Sequence, residues 1–171
     1  DLTSNIRTTR FKMKDDAVLP IDPSKRKLTF KSSAFRGSSS GVIAPEYGSE
    51  GDPTTTGSSG GGATLTIYQV YGDANDAVRF HLPASRWKQS GSPLQPGYRY
   101  KDSRLEDGPI QKIKIRNGTL TIAGKGVGLY TLEGAPQGQM ALRLQLGSGT
   151  SFCATTRARN PDGARAARAA G

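Results

Sequence analysis

Cysteine and histidine occur once each in this 171-residue chain, as Cys153 and His81. A lone thiol excludes an internal disulfide, and the pair falls short of any Cys/His metal cluster. Tryptophan is single too, at Trp87. No apolar run approaches the roughly 20 residues that a membrane-spanning helix needs. Acid is scarce: 14 Asp and Glu against 24 Lys and Arg leave a net charge of +10 and a pI of about 10.0. The few carboxylates do not form an acid–base pair, since Glu106 and Asp107 fall in a loop pattern and Glu133 ends a strand pattern. His81 stands on the polar side of a strand pattern with no nucleophile beside it, so nothing here marks an enzyme. No cofactor or metal is expected.

Helical periodicity is also missing outside the Ala/Arg-rich end, and what is present instead is strand alternation. The stretches 6–14 and 27–33 alternate, with Phe11, Met13, Leu28 and Phe30 on one side and cations on the other. From residue 63 the patterns become dense: 63–71, 77–83, 86–91, 97–102, 111–116, 119–125, 128–133, 140–146 and 151–156. Roughly ten short strands divided by Gly, Pro, Asn and Asp turns describe an all-β fold, an antiparallel β-sandwich or flattened barrel. We expect N-terminal strands (1–35) belonging to the same sheet system, a Ser/Gly-rich linker (36–62), a sandwich core (63–156) and a basic tail (157–171).

One hairpin can be derived pair by pair. Asn117-Gly118 suits a type I′ turn, whose two central residues need positive φ. A two-residue loop then sets Arg116 against Thr119, Ile115 against Leu120, Lys114 against Thr121 and Ile113 against Ile122. Ile113, Ile115, Leu120 and Ile122 form the apolar side; Lys112, Lys114 and Arg116 form the wet side.

Candidate contact residues are Trp87, Tyr98, Arg99, Tyr100 and Lys101, the hairpin cations Lys112, Lys114 and Arg116, and Arg157 and Arg159 of the tail. Exposed aromatics on a β-sandwich can stack sugars, whereas a lone Trp in a small sandwich more often anchors the core, and Tyr98 and Tyr100 share one strand side as packing residues do. The cations can grip an acidic glycan or other polyanion; on an exposed strand they also serve solubility and keep sheet edges apart. Nucleic acid is disfavoured, because base-binding sheets interleave aromatics with their cations and the hairpin has none. The Gly-rich 124–128 lacks the G-x-x-x-x-G-K opening of a helix that cradles phosphate. Asp73, Asn75 and Asp76 offer oxygen ligands of the kind Ca²⁺ takes, but without an EF-hand loop they read as turn chemistry. Asn117 fits a glycosylation pattern that the turn already explains.

The segments DDAVLPIDPSKRKLTFKSS, GSEGDPTTTGSSGGGATLTIY, FHLPASRW, GYRYKD, GPIQKIKIRNGTLTIAGKG, YTLEGAPQGQMALRLQLGSG and SFCA, spanning about residues 10–156, resemble an uncharacterised domain that recurs in large exported bacterial proteins. The resemblance implies an exported β-domain and transfers no catalytic residue. In relatives it puts cysteines at the position of Ile110 and near Gly124, both absent here. A start at Asp1 fits an exported chain freed of its signal peptide. The sequence therefore points to a non-enzymatic exported, cell-surface or periplasmic module that assembles with other protein chains, its N-terminal strands covering a sheet edge in cis or in a neighbour. Carbohydrate or polyanion binding is the alternative.

Overall fold

The computed structural model describes residues 2–14, 22–32, 42–56, 61–70, 77–116, 118–129 and 139–156. The tail, with Arg157 and Arg159, lies outside them, as do Asn117, the 71–76 loop with its candidate calcium ligands, and most of the strand expected at 128–133. Eleven strands form among the described residues: β1 (Leu2–Asn5), β2 (Thr8–Lys14), β3 (Lys27–Ser32), β4 (Ala63–Gln69), β5 (Val78–Leu82), β6 (Trp87–Gln89), β7 (Tyr98–Lys101), β8 (Ile110–Arg116), β9 (Thr119–Lys125), β10 (Met140–Leu146) and β11 (Thr150–Thr155). They make two open sheets, β1-β11-β10-β4-β5 and β2-β3-β9-β8-β7-β6. The result is a sandwich rather than a barrel, since neither sheet closes on itself.

Alternation builds the core. β4 buries Ala63, Leu65 and Ile67 on one side, β10 buries Leu142, Leu144 and Leu146, and β11 adds Phe152. From the six-stranded sheet come Leu28 and Phe30 of β3, Tyr98 and Tyr100 of β7, Ile113 and Ile115 of β8, and Leu120 and Ile122 of β9. These side chains join one apolar cluster, with Phe11 and Met13 of β2 packed on its margin. The β8–β9 hairpin has the derived register, Arg116 opposite Thr119 through Ile113 opposite Ile122. Gly118 sits at φ 72°, where a side chain on Cβ is penalised.

Three local outcomes depart from the sequence reading. β1 was not anticipated, because Leu-Thr-Ser-Asn shows no alternation; it joins β11 in a parallel pair at the edge of the five-stranded sheet. The chain then crosses to the other sheet, with Ile6 buried at the corner and its N–H donating to Cys153 O at 2.8 Å. The β1 and β2 strands thus both pair in cis, β2 with β3.

Residues 42–56, read as linker, are instead packed structure over one end of the sandwich. Val42 is buried and bridges Gly118. Asp52 is wholly buried, and its carboxylate accepts from Gly48 N–H (2.8 Å), Thr54 N–H (2.8 Å) and Thr54 Oγ1 (2.6 Å). Tyr98 donates its hydroxyl to Pro45 O at 3.0 Å, and Ser148 N–H donates to Glu50 O at 3.1 Å. Polar and Gly-rich composition hid this segment, because its order comes from turn hydrogen bonds and not from an apolar period. Finally, 128–129 form a turn rather than a strand, with Leu129 buried.

Candidate functional site

The aromatic candidates fail as surface contacts. Trp87 retains 4% of its exposure, and Tyr98 and Tyr100 retain none. Trp87 opens β6 just after a short 3₁₀ turn (Ala84–Arg86), packs against Tyr100 with ring centroids 5.4 Å apart, and donates Nε1–H to Leu82 O at 3.3 Å. Tyr98 meets Tyr47 edge-on at 5.5 Å. Burial holds the Tyr98 phenol well above its ordinary pKa and pushes Tyr100 up to about 12. These rings are core, so sugar stacking on Trp87, Tyr98 and Tyr100 is ruled out. The reason is strand parity: each occupies the inward position, and its cationic neighbour takes the outward one.

Those outward neighbours are brought together. Arg99, Lys101, Lys112, Lys114 and Arg116 are exposed on the outer face of the six-stranded sheet. The same face collects Lys88 of β6, Lys125 of β9, Lys27 and Lys31 of β3, and Arg10, Lys12 and Lys14 of β2, all exposed. The pairing aligns them in rows. One row crosses all six strands: Lys88 opposite Arg99, Arg99 opposite Lys114, Lys114 opposite Thr121, Thr121 opposite Lys31, and Lys31 opposite Arg10. A second runs Lys101, Lys112, Ala123, Thr29, Lys12. A third, shorter row is Lys125, Lys27, Lys14.

Six of these cross-strand pairs put cation directly against cation: Lys88–Arg99, Arg99–Lys114, Lys101–Lys112, Arg10–Lys31, Lys14–Lys27 and Lys27–Lys125. Directly opposed like charges destabilise a sheet, each pair by a few tenths to about 1 kcal/mol. Opposed Cβ atoms stand about 5 Å apart, inside a Debye length of about 8 Å at physiological salt, so screening trims this cost without removing it. Against a typical domain stability of about 5–15 kcal/mol the sum is appreciable. No strand of this sheet contains an Asp or Glu that could relieve it.

The acids lie elsewhere. Asp52 sits at the 42–56 end, where burial works to raise its pKa but the hydrogen bonds from Gly48, Thr54 and Gln89 outweigh it and leave it below the usual carboxylate range. At the opposite end Arg86 pairs with Glu106 and, at 2.6 Å, with Asp107. Those hydrogen bonds hold its guanidinium above its ordinary pKa. Asp102, buried, accepts from Asp107 N–H at 2.8 Å. Among the described residues the ion pairs involve Lys25, Arg86 and Arg104, and none of the sheet-face cations.

Other candidates stay apart. His81 is exposed on the five-stranded sheet opposite Thr64, and Cys153 is half-buried opposite Arg143. Gly126 (φ 93°) and Gly128 (φ 92°) form a turn after β9 with no helix to add N–H donors, so 124–128 is no phosphate loop. Among the described residues no three His, Cys, Asp or Glu are grouped to hold a metal ion, and no helix is long and apolar enough to cross a membrane.

Fold and face together define a β-sandwich with one strongly cationic sheet surface. Comparison with family models, curated proteins and solved structures finds no match to this chain.

Proposed function

We propose that this protein is a non-enzymatic binding module whose six-stranded sheet holds an extended polyanion against its outer face. The observation that carries this reading is the set of six cation-on-cation cross-strand pairs on a face whose six strands contain no carboxylate. A surface made cationic only for solubility intersperses both signs. Here a destabilising arrangement recurs on every strand of one sheet, while Arg79, His81 and Arg143 are thinly spread over the other. A polyanion relieves the repulsion on binding, so the charge distribution is complementary to such a partner.

The other reading, an assembly subunit joined by its N-terminal strands, loses its strand-addition argument because β1 and β2 are used inside their own sheets. An exported or cell-surface setting fits the polyanion reading, since acidic glycans are met there. The test is retention of the purified chain on heparin–agarose with a salt gradient. Elution well above physiological salt, and an affinity falling linearly on a log–log salt plot, support the reading. Passage through the column at low salt, or a flat salt dependence, overturns it.

A further inference from the structure

The rows give the face a direction, and direction constrains the ligand. Along a strand, cations recur every second residue, about 6.6 Å apart, and run out after three, as in Lys112, Lys114 and Arg116. Across the strands the first row continues through all six, with cations at Lys88, Arg99, Lys114, Lys31 and Arg10 and only Thr121 as a neutral step. Five strand spacings of about 4.8 Å make it about 24 Å long. A polymer lying across the strands therefore meets a cation at nearly every step; one lying along a strand leaves the charge after three.

The chemistry around the row narrows the polymer. Among the described residues no aromatic side chain of the six strands faces outward, so the strands offer no ring on which a base stacks. Among the outward positions of its six strands the one apolar side chain is the half-buried Ala123, so the strands offer no wedge for a lipid surface. Thr121 within the row and Thr29 in the next offer hydroxyls among the cations, which suits a chain of hydroxyls and regularly spaced carboxylates or sulfates.

We infer that the ligand is a linear acidic polysaccharide seated across the strands along the Lys88–Arg99–Lys114–Thr121–Lys31–Arg10 row. This rests on the polyanion reading above. The test measures binding of the full chain to a fluorescent oligogalacturonate and a heparin octasaccharide, with single-stranded oligothymidylate and phosphatidylserine vesicles as rivals. Three double variants are compared: Arg99→Gln with Lys114→Gln in the row, Lys14→Gln with Lys125→Gln in the corner row, and Arg79→Gln with Arg104→Gln off the face. The row pair removes repulsion, so its folding is not at risk, and thermal unfolding verifies that.

The expected result is that an acidic oligosaccharide binds best, and that the row pair weakens it about thirtyfold, the loss of two surface charge contacts. The corner pair costs only a few fold and the off-face pair nothing measurable. Equal losses for the row and corner pairs overturn the row while leaving the polyanion face standing. Tighter binding of oligothymidylate or vesicles at matched salt overturns the ligand class. No binding by any polyanion at low salt, or an equal loss from the off-face pair, overturns the underlying reading.

Discussion

Asp52 shows how a single side chain orders a segment that composition describes as loose. Its carboxylate has no exposed surface and gathers the N–H groups of Gly48 and Thr54, the Thr54 hydroxyl and, at 3.2 Å, the Gln89 amide. Hydrogen bonds to a charged acceptor contribute about 1.5–3 kcal/mol each way of counting, and an orphaned buried group costs a similar amount. Asp52→Asn keeps the shape, removes the charge and turns an acceptor into a donor facing other donors. We expect a loss of about 1–3 kcal/mol in urea unfolding at neutral pH. The pH dependence follows from the lowered folded-state pKa of Asp52, a direction shared by Asp102. Stability from both carboxylates is present above their unfolded value of about 3.9 and is lost as pH falls through their folded values. The acid limb of a stability–pH curve should be shallower in Asp52→Asn than in the parent; an unchanged limb contradicts the role given to Asp52. Tyr100 has the opposite sign. Raised to about 12 by burial, it favours the folded state fully below its unfolded value of about 10. That contribution disappears as pH climbs from 10 towards 12, so alkaline unfolding should set in there, with the Tyr100 phenol ionising above 10 in ultraviolet titration.

At the scale of elements, the hairpin was legible and the first strand was not. Periodicity and an Asn-Gly pair specify both partners of β8–β9, so its register follows from the residues alone. Gly118 carries part of that specification through its φ of 72°. Gly118→Ala should destabilise by about 1 kcal/mol, the cost of a left-handed non-glycine residue, and Gly118→Val by more. A neutral effect of both in denaturant titration means that the turn does not depend on this glycine. β1 has no such signature. It gains its place from backbone pairing with β11 and from Ile6 turning the corner, and neither is visible in four polar-leaning residues. The inward positions of Trp87, Tyr98 and Tyr100 were foreshadowed by parity, since each is followed by a cation. The basic face was legible only strand by strand. Alternation put Arg10, Lys12 and Lys14, or Lys112, Lys114 and Arg116, on the polar side of their own strands. That β2, β3, β6, β7, β8 and β9 share one sheet is a long-range fact of topology, which strand patterns do not encode.

For the molecule as a whole, the charge layout sets stability and binding against one another. The core of two sheets tolerates a face of opposed cations, and whatever relieves that repulsion should stabilise the fold. Added salt at moderate concentration should raise the unfolding midpoint, by screening pairs whose Cβ atoms lie about 5 Å apart. Lys114 is the most informative position, since it stands opposite Arg99 on one side and the neutral Thr121 on the other. Lys114→Glu converts a like-charged pair into an opposite one without touching a buried atom. We expect a gain of about 0.5–1.5 kcal/mol at low salt, from lost repulsion plus new attraction, shrinking as salt is added. The same change reverses the sign of one step in the cationic row and should weaken polyanion binding more than Lys114→Gln does. Stability rising while affinity falls is the signature of a face kept cationic for a ligand. If Lys114→Glu instead unfolds more readily than the parent, the opposed cations are not in repulsion, and the strain argument for the face fails with them.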